Sequence, residues 1–157
     1  MDNLPTQLSD RFSILFDAGD LVAAFSLIRD AVKVGSAEAI FLSSTFSRPR
    51  ESIGEFEKRS LSEVELSAAM GYAPAQYRLG CYLQFGDFVD VDSVEAARYF
   101  ELAAKAGFPP AMYEYGLALL HGVGLQRNHD EAISWIRSSA EGGDNTAAEF
   151  LENYRDV

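Results

Sequence analysis

The 157-residue chain carries 24 Asp plus Glu against 13 Lys plus Arg, a net charge of −11 that argues against nucleic-acid backbones and anionic membranes as partners. Its 48% hydrophobic content is ordinary for a globular protein, and the length suffices for a sizeable core. The single cysteine, Cys81, excludes an internal disulfide and suggests the cytosol, while neither a leader pattern at Met1–Pro5 nor an apolar run of about 18 residues is read.

The first predicted helix pair spans about residues 6–34. Leu8, Phe12, Leu15 and Phe16 follow the i, i+4, i+7, i+8 spacing of one helical face. Asp17 to Asp20 reads as a turn, and Asp20 caps a second helix with Leu21, Ala24, Phe25, Ile28, Ala31 and Val32 inward. That helix ends at Gly35, which opens a series. Gly71, Gly107 and Gly143 follow at intervals of 36 residues, and Ala39, Ala75, Ala111 and Ala147 each stand four residues after a glycine. A fixed period between roughly 20 and 50 residues is the signature of stacked repeats.

The second pair, about 37–70, is degenerate. Its first helix reads Ala37–Phe46. Phe56 occupies the repeat's capping position and cannot cap, so the second helix is expected only from Leu61, capped by Ser60-x-x-Glu63. That leaves a long connection from Ser47 to Arg59, holding Pro49 and Gly54. Arg48, Arg50, Lys58 and Arg59 make it a basic patch in an acidic protein, either a solvated linker or a partner-binding loop.

The third and fourth pairs, about 74–106 and 110–142, align at the offset of 36. Tyr77 meets Tyr113, Gly80 meets Gly116, Gly86 meets Gly122, Ala96 meets Ala132 and Tyr99 meets Trp135. Asp92-x-x-Glu95 and Asn128-x-x-Glu131 resemble capping boxes. Gly107 and Gly143 are expected to close their helices in the left-handed conformation. Small residues such as Gly80, Ala96 and Ala104 mark close helix approach. A final helix, about 145–155, is capped by Asp144 or Asn145. It buries Ala147, Phe150, Leu151 and Tyr154 and turns Glu149, Glu152, Arg155 and Asp156 outward, as a terminal cap requires.

Residues 111–116 read Ala-Met-Tyr-Glu-Tyr-Gly, followed by Gly122-Val-Gly124-Leu125, Ala132-x-x-Trp135 and Ser139-Ala140-x-x-Gly143. The preceding unit has Leu79-Gly80, Ala96-x-x-Tyr99 and Ala103-Ala104-x-x-Gly107. Across Ala75–Ala147 the chain resembles the Sel1-like repeat, a relative of the tetratricopeptide repeat; residues 35–71 match weakly. Phe88 stands where the motif usually has glycine, so its loop is expected to differ in shape. The resemblance implies an all-α, right-handed α-solenoid of about four antiparallel helix pairs plus a C-terminal capping helix. It also implies binding of proteins or peptides, since many bacterial members are adaptors, secretion-associated factors or neutralisers of toxins.

Gly122-Val-Gly124 begins like a dinucleotide fingerprint, but Arg127 stands at the third glycine and no strand precedes. His121 and His129 flank a loop and lack further metal ligands. Asp87, Asp90 and Asp92 lack the glycine and terminal glutamate of a calcium loop. Cys81 lacks an orienting group and an oxyanion site. No cofactor or metal is expected.

The reading is a non-catalytic interaction module. The first helices of the pairs would line a concave face, with Gln76, Arg78, Cys81, Met112, Glu114 and Leu117 pointing outward to a protein partner. A small acidic chain of this kind suits a bacterial immunity protein neutralising a cognate toxin or effector. An adaptor or scaffold of a secretion or signalling complex, a small hydrolase, and a subunit stacking on itself are the alternatives. A cytoplasmic protein, monomeric in isolation, is expected.

Overall fold

The computed structural model describes residues 7–154, and among them all regular secondary structure is α-helical. The boundaries expected at residues 6 and 155, the Met1–Pro5 segment, and the outward Arg155 and Asp156 lie outside the described residues. The chain divides into two compact units, residues 1–72 and 73–157.

The first unit holds α1 (Leu8–Asp17), α2 (Leu21–Lys33), α3 (Ala37–Ser43) and α4 (Ile53–Ala69). Asp20 accepts from the Ala23 N–H at the start of α2. α1 has no cap of its own; the Glu38 carboxylate of α3 accepts from the N–H groups of Leu8 (3.3 Å) and Ser9 (2.8 Å) instead. Phe12 stacks on Phe46, and Phe25 meets both edge-on, with the Phe25 and Phe46 rings 4.9 Å apart.

α4 corrects two expectations. It begins at Ile53, two turns before Leu61, and the Ser47–Arg59 connection is therefore only partly loop. The reason is a capping box at Ser52–Glu55: Ser52 Oγ accepts from the Glu55 N–H, and Glu55 accepts from the Ser52 N–H at 2.9 Å. Ser60 caps nothing. It is buried inside α4, its hydroxyl donating to the Ser44 carbonyl at 2.9 Å. α3 also stops at Ser43, short of Phe46.

The second unit holds α5 (Ala73–Phe85), α6 (Ser93–Lys105), α7 (Pro109–His121), α8 (His129–Glu141) and α9 (Asn145–Asn153). Each packs on the next in chain order, around a core including Phe100, Ala104, Ala111, Tyr115, Leu119 and Ala132. Ile136 is fully buried, which stabilises the fold by about 1.5–3 kcal/mol. Asp92 and Asn128 cap α6 and α8, accepting from the N–H groups of Glu95 and Glu131. The reciprocal half of the box does not form at Glu95, whose carboxylate turns to Arg98.

The period of 36 has a physical basis in both units. Gly35, Gly71, Gly107 and Gly143 all have φ between 78° and 97°, the left-handed conformation that costs glycine nothing. At Gly107, for example, its N–H bonds the Ala104 carbonyl and the Phe108 N–H bonds the Ala103 carbonyl, the paired closure of a Schellman motif. Ala39, Ala75, Ala111 and Ala147 are each 0% exposed. Inside α5 and α7, a Cβ on Gly80 would lie 2.6 Å from the Phe100 ring, and one on Gly116 2.6 Å from Ile136. These glycines let α5 and α7 approach α6 and α8.

Phe88 departs from expectation. Its φ is 65°, against 73° at the repeat-equivalent Gly124. The backbone keeps its left-handed turn there, and the phenylalanine bears the strain of about 1–2 kcal/mol. Its ring packs edge-on to Tyr82, with centroids 4.9 Å apart.

Candidate functional site

The second unit brings part of the anticipated face together. Cys81 on α5 and Glu114 on α7 interact electrostatically, and both are half-buried. Glu114 lines a cavity of 160 Å³ whose other polar lining residues are Gln84, Ser93 and His121, with Phe100 and Leu117 among its apolar ones. Met112, Cys81 and Leu117 also pack against the core cluster. Arg78 is exposed. Gln76 is a correction: it is 8% exposed and does not point outward as expected. It falls on the side of α5 that carries the buried Ala75, Leu79 and Gly80.

Glu114 is the distinctive group. It makes no ion pair among the described residues. Burial pushes its carboxyl above the usual range, and the Asp144 carboxylate adds to the rise. Asp144 is held in place as the α9 cap, accepting from the Thr146 and Ala147 N–H groups at 2.8 and 3.2 Å. Tyr77 and Tyr113 are also pushed up, first by burial and then by neighbours that include Glu114 and Asp144. The face is an acidic, partly desolvated surface framed by tyrosines. Its chemistry suits a cationic guest, which would supply the counter-charge that no described residue provides.

Nucleophilic chemistry is poorly served here. Burial pushes the Cys81 thiol up, against the opposing pull of the Tyr77 hydroxyl, so the sulfur is a protonated thiol near neutral pH. Glu114 and His121 are seven residues apart on α7, about 10.5 Å along the axis, and do not reach one another directly. Among the described residues no group of three or more His, Cys, Asp or Glu is placed to hold a metal. His129 bonds through Nε2 to the Tyr154 hydroxyl at 3.1 Å.

The basic loop resolves into different roles. Arg59 is a structural centre in the first unit. Its Nε and Nη2 grip Glu51 at 2.6 and 2.8 Å, Nη1 reaches Glu63 at 2.7 Å, and it also donates to the Ser43 and Phe46 carbonyls. This clamp, with the Arg48 N–H second, holds the Glu51 carboxyl down at about 2. Arg48 pairs with Glu63 at 2.7 Å. Arg50 and Lys58 are exposed, and Arg50 has a left-handed φ of 67°.

The Sel1 repeat family matches residues 73–108 and 109–144, the helix pairs α5–α6 and α7–α8. The two matched stretches together span 72 of the 157 residues. A solved Sel1 repeat protein from Oxalobacter formigenes is 24% identical, with a TM-score of 0.71 over 81% of this chain and 96% of that one. A protective antigen of uropathogenic Escherichia coli strains, displaying an SLR fold, is 24% identical with a TM-score of 0.67, over 81% of this chain and 28% of that one. The cysteine rich protein B of Helicobacter pylori is 17% identical with a TM-score of 0.64, over 84% and 95%. No curated protein sequence matches the chain. At these identities the structural likeness establishes the fold class, the all-α repeat solenoid. Sel1 repeats serve as protein-interaction modules. Among the described residues no helix is long and apolar enough to cross a membrane.

Sequence reasoning missed a pair of buried serine ties, one in each unit. Ser67 and Ser139, 72 residues apart, are both 0% exposed, and their hydroxyls donate to the Ala37 and Pro109 carbonyls at 2.7 and 2.6 Å. Each ties a helix to the start of the preceding one. The shared interval was visible, but Ala103 stands between them and breaks the pattern.

Proposed function

We propose that this protein is a non-catalytic binding module whose α5/α7 face seats a cationic side chain of one protein partner. The carrying observation is Glu114, a half-buried carboxyl lining a small cavity, with no ion pair among the described residues. A lysine or arginine entering there would recover the desolvation cost of the carboxylate. Arg78, Cys81, Met112 and Leu117 lie on the same two helices and supply the surrounding contacts.

The partner we favour is a toxin or effector whose basic surface the chain covers, in the manner of an immunity protein. The support is charge: residues 71–157 hold 13 acids and 6 bases, a net of −7. A reducing, cytoplasmic setting goes with this reading, since Cys81 has no disulfide partner in the chain.

The test is Glu114→Gln. It keeps the shape and removes the charge. Titration calorimetry against the co-purifying basic protein should show affinity falling at least roughly tenfold, which is about 1.4 kcal/mol. Unchanged affinity would remove Glu114 from the interface and this reading with it.

A further inference from the structure

The first unit contains a second surface of opposite character. A groove of 690 Å³ runs beside α2, with Leu21, Val22, Phe25 and Phe46 among its apolar lining residues. Its charged lining residues are Arg29 and Arg48, and among the described residues no acid lines it. In a chain of net charge −11 that is a local inversion. Val22 is 81% exposed, so the apolar surface is open. Arg29 bonds Asp30 through Nε, leaving its other guanidinium N–H groups available. Arg48 pairs with Glu63 but stays 54% exposed along its side chain. The groove asks for apolar anchors accompanied by carboxylates.

The same sequence supplies such a segment. Residues 85–92 read Phe-Gly-Asp-Phe-Val-Asp-Val-Asp, with no lysine or arginine. Phe85, Phe88 and Val91 are exposed at 68%, 49% and 61%. Asp87 and Asp90 are exposed and make no ion pair among the described residues. Phe88 also occupies a left-handed φ of 65°, where its repeat-equivalent is glycine. A large side chain kept at a glycine dihedral, with half its surface in water, points to a use outside the fold.

We propose that the chain associates with itself head to tail, the 85–92 loop of one copy docking in the α2 groove of the next. Phe85, Phe88 and Val91 would supply the apolar anchors, and Asp87 and Asp90 would meet Arg29 and Arg48. The contact joins two different patches, so each added copy leaves one loop and one groove free, and growth continues unless a ring closes. One short loop in one groove sits at the small end of specific interfaces, so the assembly is weak and concentration-dependent. This differs from the monomer anticipated from the sequence, and it does not rest on the Glu114 face.

The experiment is sedimentation velocity on the full chain, from micromolar to several hundred micromolar. Two variants break opposite halves of the contact: Val22→Glu in the groove and Phe88→Gly in the loop. The native chain should show a weight-average mass rising with concentration, and the rise should fall with added salt. Each variant alone should stay monomeric. Their equimolar mixture should form a dimer and nothing larger, because one intact groove then meets one intact loop. Should either variant lose its helical circular dichroism, the neutral changes Arg29→Ala with Arg48→Ala in the groove and Asp87→Asn with Asp90→Asn in the loop replace them in the same mixing design. A native chain that is monomeric throughout overturns the proposal and leaves the groove to another acidic, apolar partner. Oligomers that persist in both variants, or a mixture that remains monomeric, overturn it equally.

Discussion

Replacing Gly124 by alanine should damage the fold far more than the same change at Gly107. Both glycines have positive φ, 73° and 85°, so each alanine carries the left-handed cost of about 1–2 kcal/mol. Both also gain about 0.4–1 kcal/mol from a less flexible unfolded chain. The difference is space. A Cβ on Gly107 meets nothing within 4 Å. One on Gly124 would lie 1.9 Å from the Ser93 carbonyl oxygen and 3.0 Å from the Val94 nitrogen. Those are backbone atoms at the start of α6, and ordinary contact begins at 3.4 Å, so the loop must retreat by about 1.5 Å. Overpacking of this kind adds roughly 1–3 kcal/mol. The net is about 1 kcal/mol for Gly107→Ala and about 2–4 kcal/mol for Gly124→Ala. At about 2–4 °C per kcal/mol, Gly124→Ala should melt roughly 5–15 °C below the native chain. Thermal unfolding followed by circular dichroism measures both. Equal melting temperatures for the two variants would refute the claim that the Gly124 loop is seated against α6.

Glu114→Gln should raise the melting temperature of the free chain while weakening partner binding. A carboxyl whose pKa is raised on folding opposes stability at neutral pH, so the gain should shrink as pH falls through the raised Glu114 value; melts across an acid series test this. Glu51 has the opposite sign. Held at about 2 against an ordinary 4.5, it contributes stability that is complete above about 4.5 and lost as pH falls toward 2. Arg59→Met should remove most of that acid dependence, leaving the part due to the Arg48 N–H, and lower the urea midpoint further than any surface substitution, because Glu51 and Glu63 lose their shared partner. Ser52→Ala should cost about 1 kcal/mol and fray the first turn of α4, read as faster amide exchange there.

What the sequence disclosed depended on whether the physics was local. The glycine period was legible because a left-handed helix closure needs the residue type that marks it, and each closure is made within a few residues. The start of α4 was misread although its signal was present. Counting 36 residues back from Asp92 lands on Phe56, and that register outweighed the capping box at Ser52–Glu55. Phe88 could not have been anticipated from propensity, since the surrounding loop imposes a dihedral that phenylalanine avoids. At the site, the helical spacing placed Cys81, Glu114 and Leu117 on one face, but it put Gln76 there as well. The burial of Gln76 is set by packing that spacing does not encode. Glu114 drew notice as an acid; that no described residue pairs with it is a three-dimensional fact. The basic loop misled for the same reason, because Arg59 is consumed by carboxylates up to eight residues away in sequence.

The central claim is that a basic protein docks on the α5/α7 face around Glu114. The most direct measurement is site-specific photocrosslinking in the cells that make the protein, with the crosslinker at Leu117 and, in a separate variant, at exposed Ser134 on α8. Mass spectrometry then identifies what each position touches. The account requires one basic protein captured from Leu117, none from Ser134, and loss of that capture when Glu114→Lys is added. Capture from Ser134 instead, or a Leu117 adduct indifferent to Glu114→Lys, would contradict it.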